Sequence, residues 1–247
     1  MSINIIPEIG SNWEGDVELA KLCIEKAKES GASYIKFQMW RAADLYNPSF
    51  EHWDFVKKAE LTEDNARELK KYADKIGIKW FCSVFNPEAV DVLESINTEV
   101  YKIASYTAAL KHKFAYETIK KVAETKKRVF ISTGYGIDYQ KIQGLFQGQN
   151  YQFCYCVAEY PATDNEIDWK ENLKHDFFSD HTLGITIPLV YLAIKKYLNA
   201  HELFVEKHVK LDISKGPDAP FSISFDELSL LVKHAKRIES LIISKEK

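Results

Sequence analysis

Residues 3–15 read Ile-Asn-Ile-Ile-Pro-Glu-Ile-Gly-Ser-Asn-Trp-Glu-Gly, and this stretch separates two architectures. Its first seven residues have the composition of a β-strand. An open, doubly wound sheet built for a dinucleotide would follow such a strand with Gly-x-Gly-x-x-Gly. The turn here, Gly10 to Gly15, carries two glycines at the wrong spacing. A parallel barrel makes no such demand. It collects polar residues at the carboxyl ends of its strands, where Glu8 and Asn12 stand.

Seven further runs share the strand signature: 33–38, 78–84, 99–105, 128–133, 151–156, 177–180 and 203–209. Most are almost continuously apolar, as expected of parallel strands covered on both faces. Helical spacing fills the intervals. Val17, Ala20, Ile24 and Ala27 form one stripe, Thr62 and Gly77 bracket a second helix, and Asn86-Pro87 opens a third. Ser224-Phe-Asp-Glu227 has the capping-box pattern at the start of the last helix. Eight strands alternating with helices predict a single-domain (β/α)8 barrel over residues 1–247, with the doubly wound sheet as runner-up.

Composition narrows the function classes. With 247 residues, 46% hydrophobic and 28% charged, and a net charge of −3, the chain has the profile of a soluble globular protein. No basic excess points to nucleic acid or an anionic membrane. No apolar run approaches the roughly 20 residues of a transmembrane helix. The N-terminus lacks a signal-peptide pattern, so the expected location is cytoplasmic. Cys23, Cys82, Cys154 and Cys156 read as reduced, structural thiols; Cys154 and Cys156 share an apolar strand.

All eight predicted strand ends carry polar groups: Glu8; Lys36 and Gln38; Ser83; Lys102 and Ser105; Ser132; Glu159 and Tyr160; His181; and Glu206 with His208. A single strand-end lysine is usually a solvated rim charge, and a single histidine a structural residue. Repetition around the ring favours a site. Two lysines and several hydroxyls suit a phosphate or carboxylate. His181 and His208, on neighbouring strands, could share a divalent metal, with Glu206 or Asp180 as supporting carboxylate. Ser179-Asp180-His181 cannot be a hydrolase triad, because consecutive strand residues face opposite ways.

The segment 8–38, together with Tyr-Lys-Ile-Ala-Ser (101–105), Ile-Ser-Thr-Gly (131–134), Cys-Val-Ala-Glu-Tyr-Pro-Ala (156–162), Ser-Asp-His-Thr (179–182), Glu-Lys-His-Val (206–209) and residues 215–224, resembles the sialic acid synthase family in composition and order. The resemblance covers roughly the whole chain. It implies a barrel that condenses phosphoenolpyruvate with an aldose, commonly an N-acyl hexosamine or a related aldehyde, giving a sialic acid-like 2-keto-3-deoxy sugar acid and phosphate. By motif, His181 and His208 would hold Mn²⁺ or a similar ion such as Mg²⁺ or Co²⁺. Lys36, Lys102, Ser105, Ser132 and Ser179 would bind phosphoenolpyruvate, with Ser83 as a further candidate. Glu8, Gln38, Tyr160 and Asp218 would line the metal and sugar side, Glu8 as proton handler.

The family usually continues into a C-terminal antifreeze-like domain that lends an arginine to the partner subunit's sugar site. The sequence ends at Lys247, just after the eighth helix, so the expectation is the barrel alone, in a possible homodimer. The family's Gly-Glu after the fourth-strand serine is Tyr106-Thr107, its Asn or Ser before the Tyr-Pro pair is Ala158, and its Asn-His in the first loop is Asn12-Trp13. These changes fall mostly on the acceptor side. Two other functions fit the strand-end pattern: a Schiff-base aldolase using Lys102 or Lys36, and a catalytically silent barrel acting as a binding or assembly partner.

Overall fold

Strand and helix alternate along the chain as the periodicity predicts. The computed structural model describes residues 2–241. Its inner wall is made of β1 (Ser2–Glu8), β2 (Tyr34–Met39), β3 (Lys79–Val84), β4 (Val100–Ile103), β5 (Arg128–Ser132), β6 (Tyr151–Cys154), β7 (Phe177–Asp180) and β8 (Glu202–Lys210). All neighbours are parallel, in the order β6-β5-β4-β3-β2-β1-β8-β7. The first strand pairs along its whole length with the last, Ser2 opposite Glu202 through Glu8 opposite His208. A bridge between Tyr155 and Phe178 joins the remaining two edges. That closure is a (β/α)8 barrel and excludes the open sheet, which would leave the first and last strands apart.

Local chemistry sets the helix starts. Thr62 accepts from the Asn65 amide, and Gly77 closes the same helix at φ 74°. Asn86 caps the helix that begins at Pro87, and Ser224 and Glu227 make the reciprocal capping box of Phe225–Ser240. Asp16, not expected as a cap, accepts from Glu18 and Leu19. Among the described residues, no helix is long and apolar enough to cross a membrane.

The side-chain period of two divides each strand between two cores. Outward residues such as Ile35, Phe37, Tyr101 and Val205 pack under the helices. Inward residues Ile6, Tyr34, Phe81, Phe130, Cys154, Phe177 and Phe204 form an aromatic plug. Phe130 stands 4.8 Å from Phe177 and 4.9 Å from Phe204 between ring centroids. The next inward position on each strand lies one layer nearer the carboxyl ends, directly above this apolar floor.

Candidate active site

That layer is charged. Glu8, Lys36, Lys102 and Glu206 are all almost fully buried. Lys36 pairs with Glu8 and lies 3.6 Å from Glu206; Lys102 meets Glu206 at 2.9 Å. Two ammonium groups and two carboxylates thus balance in a place where an unpaired charge would be costly. The two acids are not equivalent. Burial opposes ionisation of Glu206, but Lys102 and Lys36 outweigh it and hold its pKa at about 2. Burial dominates at Glu8, only partly offset by Lys36, and raises it to about 7. For Lys102, burial disfavours the charge, yet Cys154 and Glu206 overcome it and leave the ammonium more basic than an ordinary lysine.

Hydroxyls surround these charges. Lys36 donates to Ser83 Oγ at 2.8 Å, and Ser179 donates to Glu206 at 2.8 Å. Ser105 enters because the chain leaves β4 directly into a helical turn, Ser105–Ala108. With Ser132 they line a cavity of about 50 Å³ whose walls also include Lys36, Lys102, Glu206 and Cys156.

His181 and His208 form one side of this cavity, with ring centroids 5.8 Å apart. Burial pushes both pKa values down to about 3, so both rings are neutral near pH 7. His181 Nδ1 lies 2.6 Å from the Val157 carbonyl oxygen. The proton that makes that bond resides on Nδ1, leaving Nε2 as an acceptor, 3.5 Å from Ser179 Oγ. His208 Nδ1 is buried with no hydrogen-bond partner. Two neutral imidazoles, each with one unprotonated ring nitrogen, suit a divalent transition metal. No group of three or more His, Cys, Asp or Glu that could hold a metal exists among the described residues, so other positions would fall to water or substrate.

A wider cavity of about 500 Å³ opens above and shares Gln38, Ser105, Tyr160 and His208 with the first. Asp218 lines it and accepts from the amide and hydroxyl of Ser11, both at 2.7 Å. Gly10 makes the junction possible. It sits at φ +53°, and a Cβ there would overlap Asp218 Oδ2 and come 3.3 Å from His208 Cε1. Gly10→Ala is therefore expected to lose about 1–3 kcal/mol of stability from the backbone alone and most of its turnover. Thermal melts and steady-state rates check this; unchanged values would show that the loop has room to move.

The structure thus gathers around two joined cavities both lysines, both histidines, the four serines, Gln38, Tyr160, Glu206 and Asp218; Glu8 lies just beneath and reaches them through Lys36, and Glu159 lines neither cavity. Asp180 is a correction. It points away from both imidazoles, pairs with buried Lys207 at 2.6 Å and accepts from Thr182, because it alternates with Ser179 and His181 along β7. Asn12 likewise braces the wall, donating to Val209 and Ser222. Sequence reasoning missed Cys156 and, apart from Tyr160, the aromatic residues of the outer cavity, among them Tyr46, Phe85, Tyr106 and Tyr135. Cys156 could have been found from its even spacing to inward-facing Cys154. Those aromatics come from loops and one short helical turn, which carry no period.

Comparison with known proteins agrees with this fold. The N,N'-diacetyllegionaminic acid synthase of Campylobacter jejuni is 31% identical over 95% of this chain and 76% of its own length. The human N-acetylneuraminate-9-phosphate synthase is 28% identical over 98% of this chain and 72% of its own length. The crystal structure of the N-acetylneuraminic acid synthetase of Leptospira borgpetersenii, in complex with citrate, superposes with a TM-score of 0.85 at 27% identity. It matches 96% of this chain and 84% of that one. A profile of the NeuB family matches residues 23–247, and the chain belongs to that family.

Proposed function

We propose that this barrel condenses phosphoenolpyruvate with the aldehyde of an open-chain aldose, forming a 2-keto-3-deoxy sugar acid and releasing phosphate. The observation that carries this reading is the buried Lys36–Lys102 pair with its serines, set directly beside two neutral imidazoles. The names of the relatives are consistent with it: they make acids of the sialic, legionaminic and pseudaminic type.

Lys36 and Lys102 are placed to hold the carboxylate and phosphate of the enol ester and to offset charge as phosphate departs. Ser83, Ser105, Ser132 and Ser179 fix its orientation through hydrogen bonds. His181 and His208 would hold the divalent ion, Mn²⁺ or a similar metal, which as a Lewis acid polarises the acceptor carbonyl. As C3 attacks the aldehyde carbon, the new alkoxide oxygen needs a proton; water adding at C2 must lose one. Glu8, with a pKa near 7, can take the second and return the first. Gln38 and Asp218 line the sugar side.

A Schiff-base aldolase would need a neutral lysine amine. Lys102 is held protonated, and Lys36 is engaged by two carboxylates. Phosphate release from phosphoenolpyruvate with Mn²⁺ across a panel of aldoses tests the choice. Release that needs an acceptor, stops with EDTA and falls at least about 100-fold in His181→Ala, a loss of the size expected for a polarising group, supports the condensation. Borohydride trapping of a covalent adduct without metal would replace it with the aldolase.

A further inference from the structure

The two imidazoles of the site are held in different ways. His181 donates from Nδ1 to the Val157 carbonyl oxygen at 2.6 Å, a bond that fixes both its ring plane and its tautomer. His208 lacks such an anchor. Its Nδ1 is buried, and among the described residues no group bonds to it. The terminal torsion of a histidine is soft and roughly two-fold, and a half turn puts carbon where nitrogen stood. Something other than a hydrogen bond must therefore keep the His208 nitrogens where they are.

That something is a ring. Phe221 meets His208 at 4.9 Å between centroids with 74° between planes, an edge-to-face contact. Phe221 also touches Tyr160 at 5.2 Å, and Tyr160 lies against His181 at 4.3 Å. With the imidazoles 5.8 Å apart, the four rings close a cycle. Phe221 is its fixed aromatic member: it is 5% exposed, against 46% for Tyr160.

The backbone around Phe221 is tied to the strand that carries His208. Phe221 ends the turn Ala219–Phe221, after which β9 (Ile223–Ser224) pairs with Val209 and Lys210 of β8. Lys210 donates to the Ala219 carbonyl oxygen at 2.8 Å, Ser222 Oγ donates to that of Asp218 at 2.6 Å, and Asn12 donates to Ser222 Oγ at 2.9 Å. Wall and histidine thus belong to one hydrogen-bonded unit. Gly10 bounds the Cε1 edge of the ring, where a Cβ would come within 3.3 Å.

We propose that Phe221 is the positioning residue of His208, supplying by ring packing what the Val157 carbonyl supplies to His181, and that it thereby sets the affinity of the histidine pair for a divalent ion. The second half rests on the metal reading given above; the first is a property of the rings themselves.

The test separates the two. Mn²⁺ is titrated calorimetrically into the native protein, Phe221→Leu and Phe221→Tyr, Co²⁺ spectra are recorded for each, and the metal-free proteins are crystallised. Phe221→Leu keeps an apolar filling without a ring. It should raise the Kd for Mn²⁺ at least about tenfold, the lower end for loss of a group that orients a metal-bound histidine, and change the visible Co²⁺ bands. Phe221→Tyr keeps the ring, with its hydroxyl toward the outer cavity that Phe221 lines, and should restore both. In metal-free Phe221→Leu, His208 should be turned or split between two ring orientations while His181 stays in place. A cooperative melt common to all variants excludes loss of fold; Phe221→Met, unbranched and adaptable, replaces the leucine variant if that fails. An unmoved His208 in the ringless variant overturns the proposal, as does native Mn²⁺ affinity there or equal weakening in Phe221→Tyr. A His208 that turns in a protein whose native form binds neither ion would sustain the positioning role and fail the metal reading alone.

Discussion

Glu206→Ala is expected to be the most destabilising single substitution at this site. Glu206 is the hub of the charged layer. It meets Lys102 at 2.9 Å and Lys36 at 3.6 Å, and accepts from Ser179 at 2.8 Å. Truncation leaves Glu8 as the sole counter-charge for two buried ammonium groups. Breaking a buried pair from one side costs about 3–5 kcal/mol. For a protein of this size that is a fall of about 6–20 °C in melting temperature. Added phosphate or phosphoenolpyruvate should then raise the melting temperature of the variant more than that of the native protein, because an anion replaces the missing carboxylate. A fall without that differential rescue would assign the loss to packing; no fall at all would show the layer to be relaxed.

The hub was only partly legible in the sequence. Lys36 and Gln38, with Phe37 opposed, announce an inward polar pair because a strand alternates strictly. The same rule predicts the inward direction of Glu206 and His208. It does not predict that Glu206 meets Lys102, 104 residues away and on the far side of the ring. Cross-barrel contacts depend on closure and on which layer each residue occupies, and neither is encoded locally. Sequence adjacency misled in one case: Asp180 beside His181 looked like its support, while the pleat sends it to Lys207. The expected strand 99–105 overruns the observed Val100–Ile103 because a helical turn begins at Ser105, and one turn has too few residues to show a period. The fold was more legible than the site because eight repeats of one pattern reinforce each other, whereas each site contact occurs once.

The second large effect concerns Glu8, and it separates proton handling from charge balance. Glu8→Gln keeps shape and the Gly10 hydrogen-bond acceptor, the present carboxylate oxygen accepting from that amide at 2.8 Å. It removes the ability to carry a proton. Turnover should fall about 10²–10⁴-fold, the range for loss of a general acid–base group, while the KM for phosphoenolpyruvate, which in the proposed reading the lysines would hold, moves little. The pH profile supplies the sign. Burial raises Glu8 from 4.5 to about 7, so the base form is half populated at pH 7 and about a tenth populated at pH 6. The native enzyme's kcat/KM should therefore rise with pH through a limb near 7, and that limb should be absent from the Gln variant. His181 and His208, both near 3, cannot produce it, and Glu206, near 2, is ionised throughout. A limb that persists in Glu8→Gln would move the proton to another group, and the phosphate leaving group or the acceptor would then have to carry it.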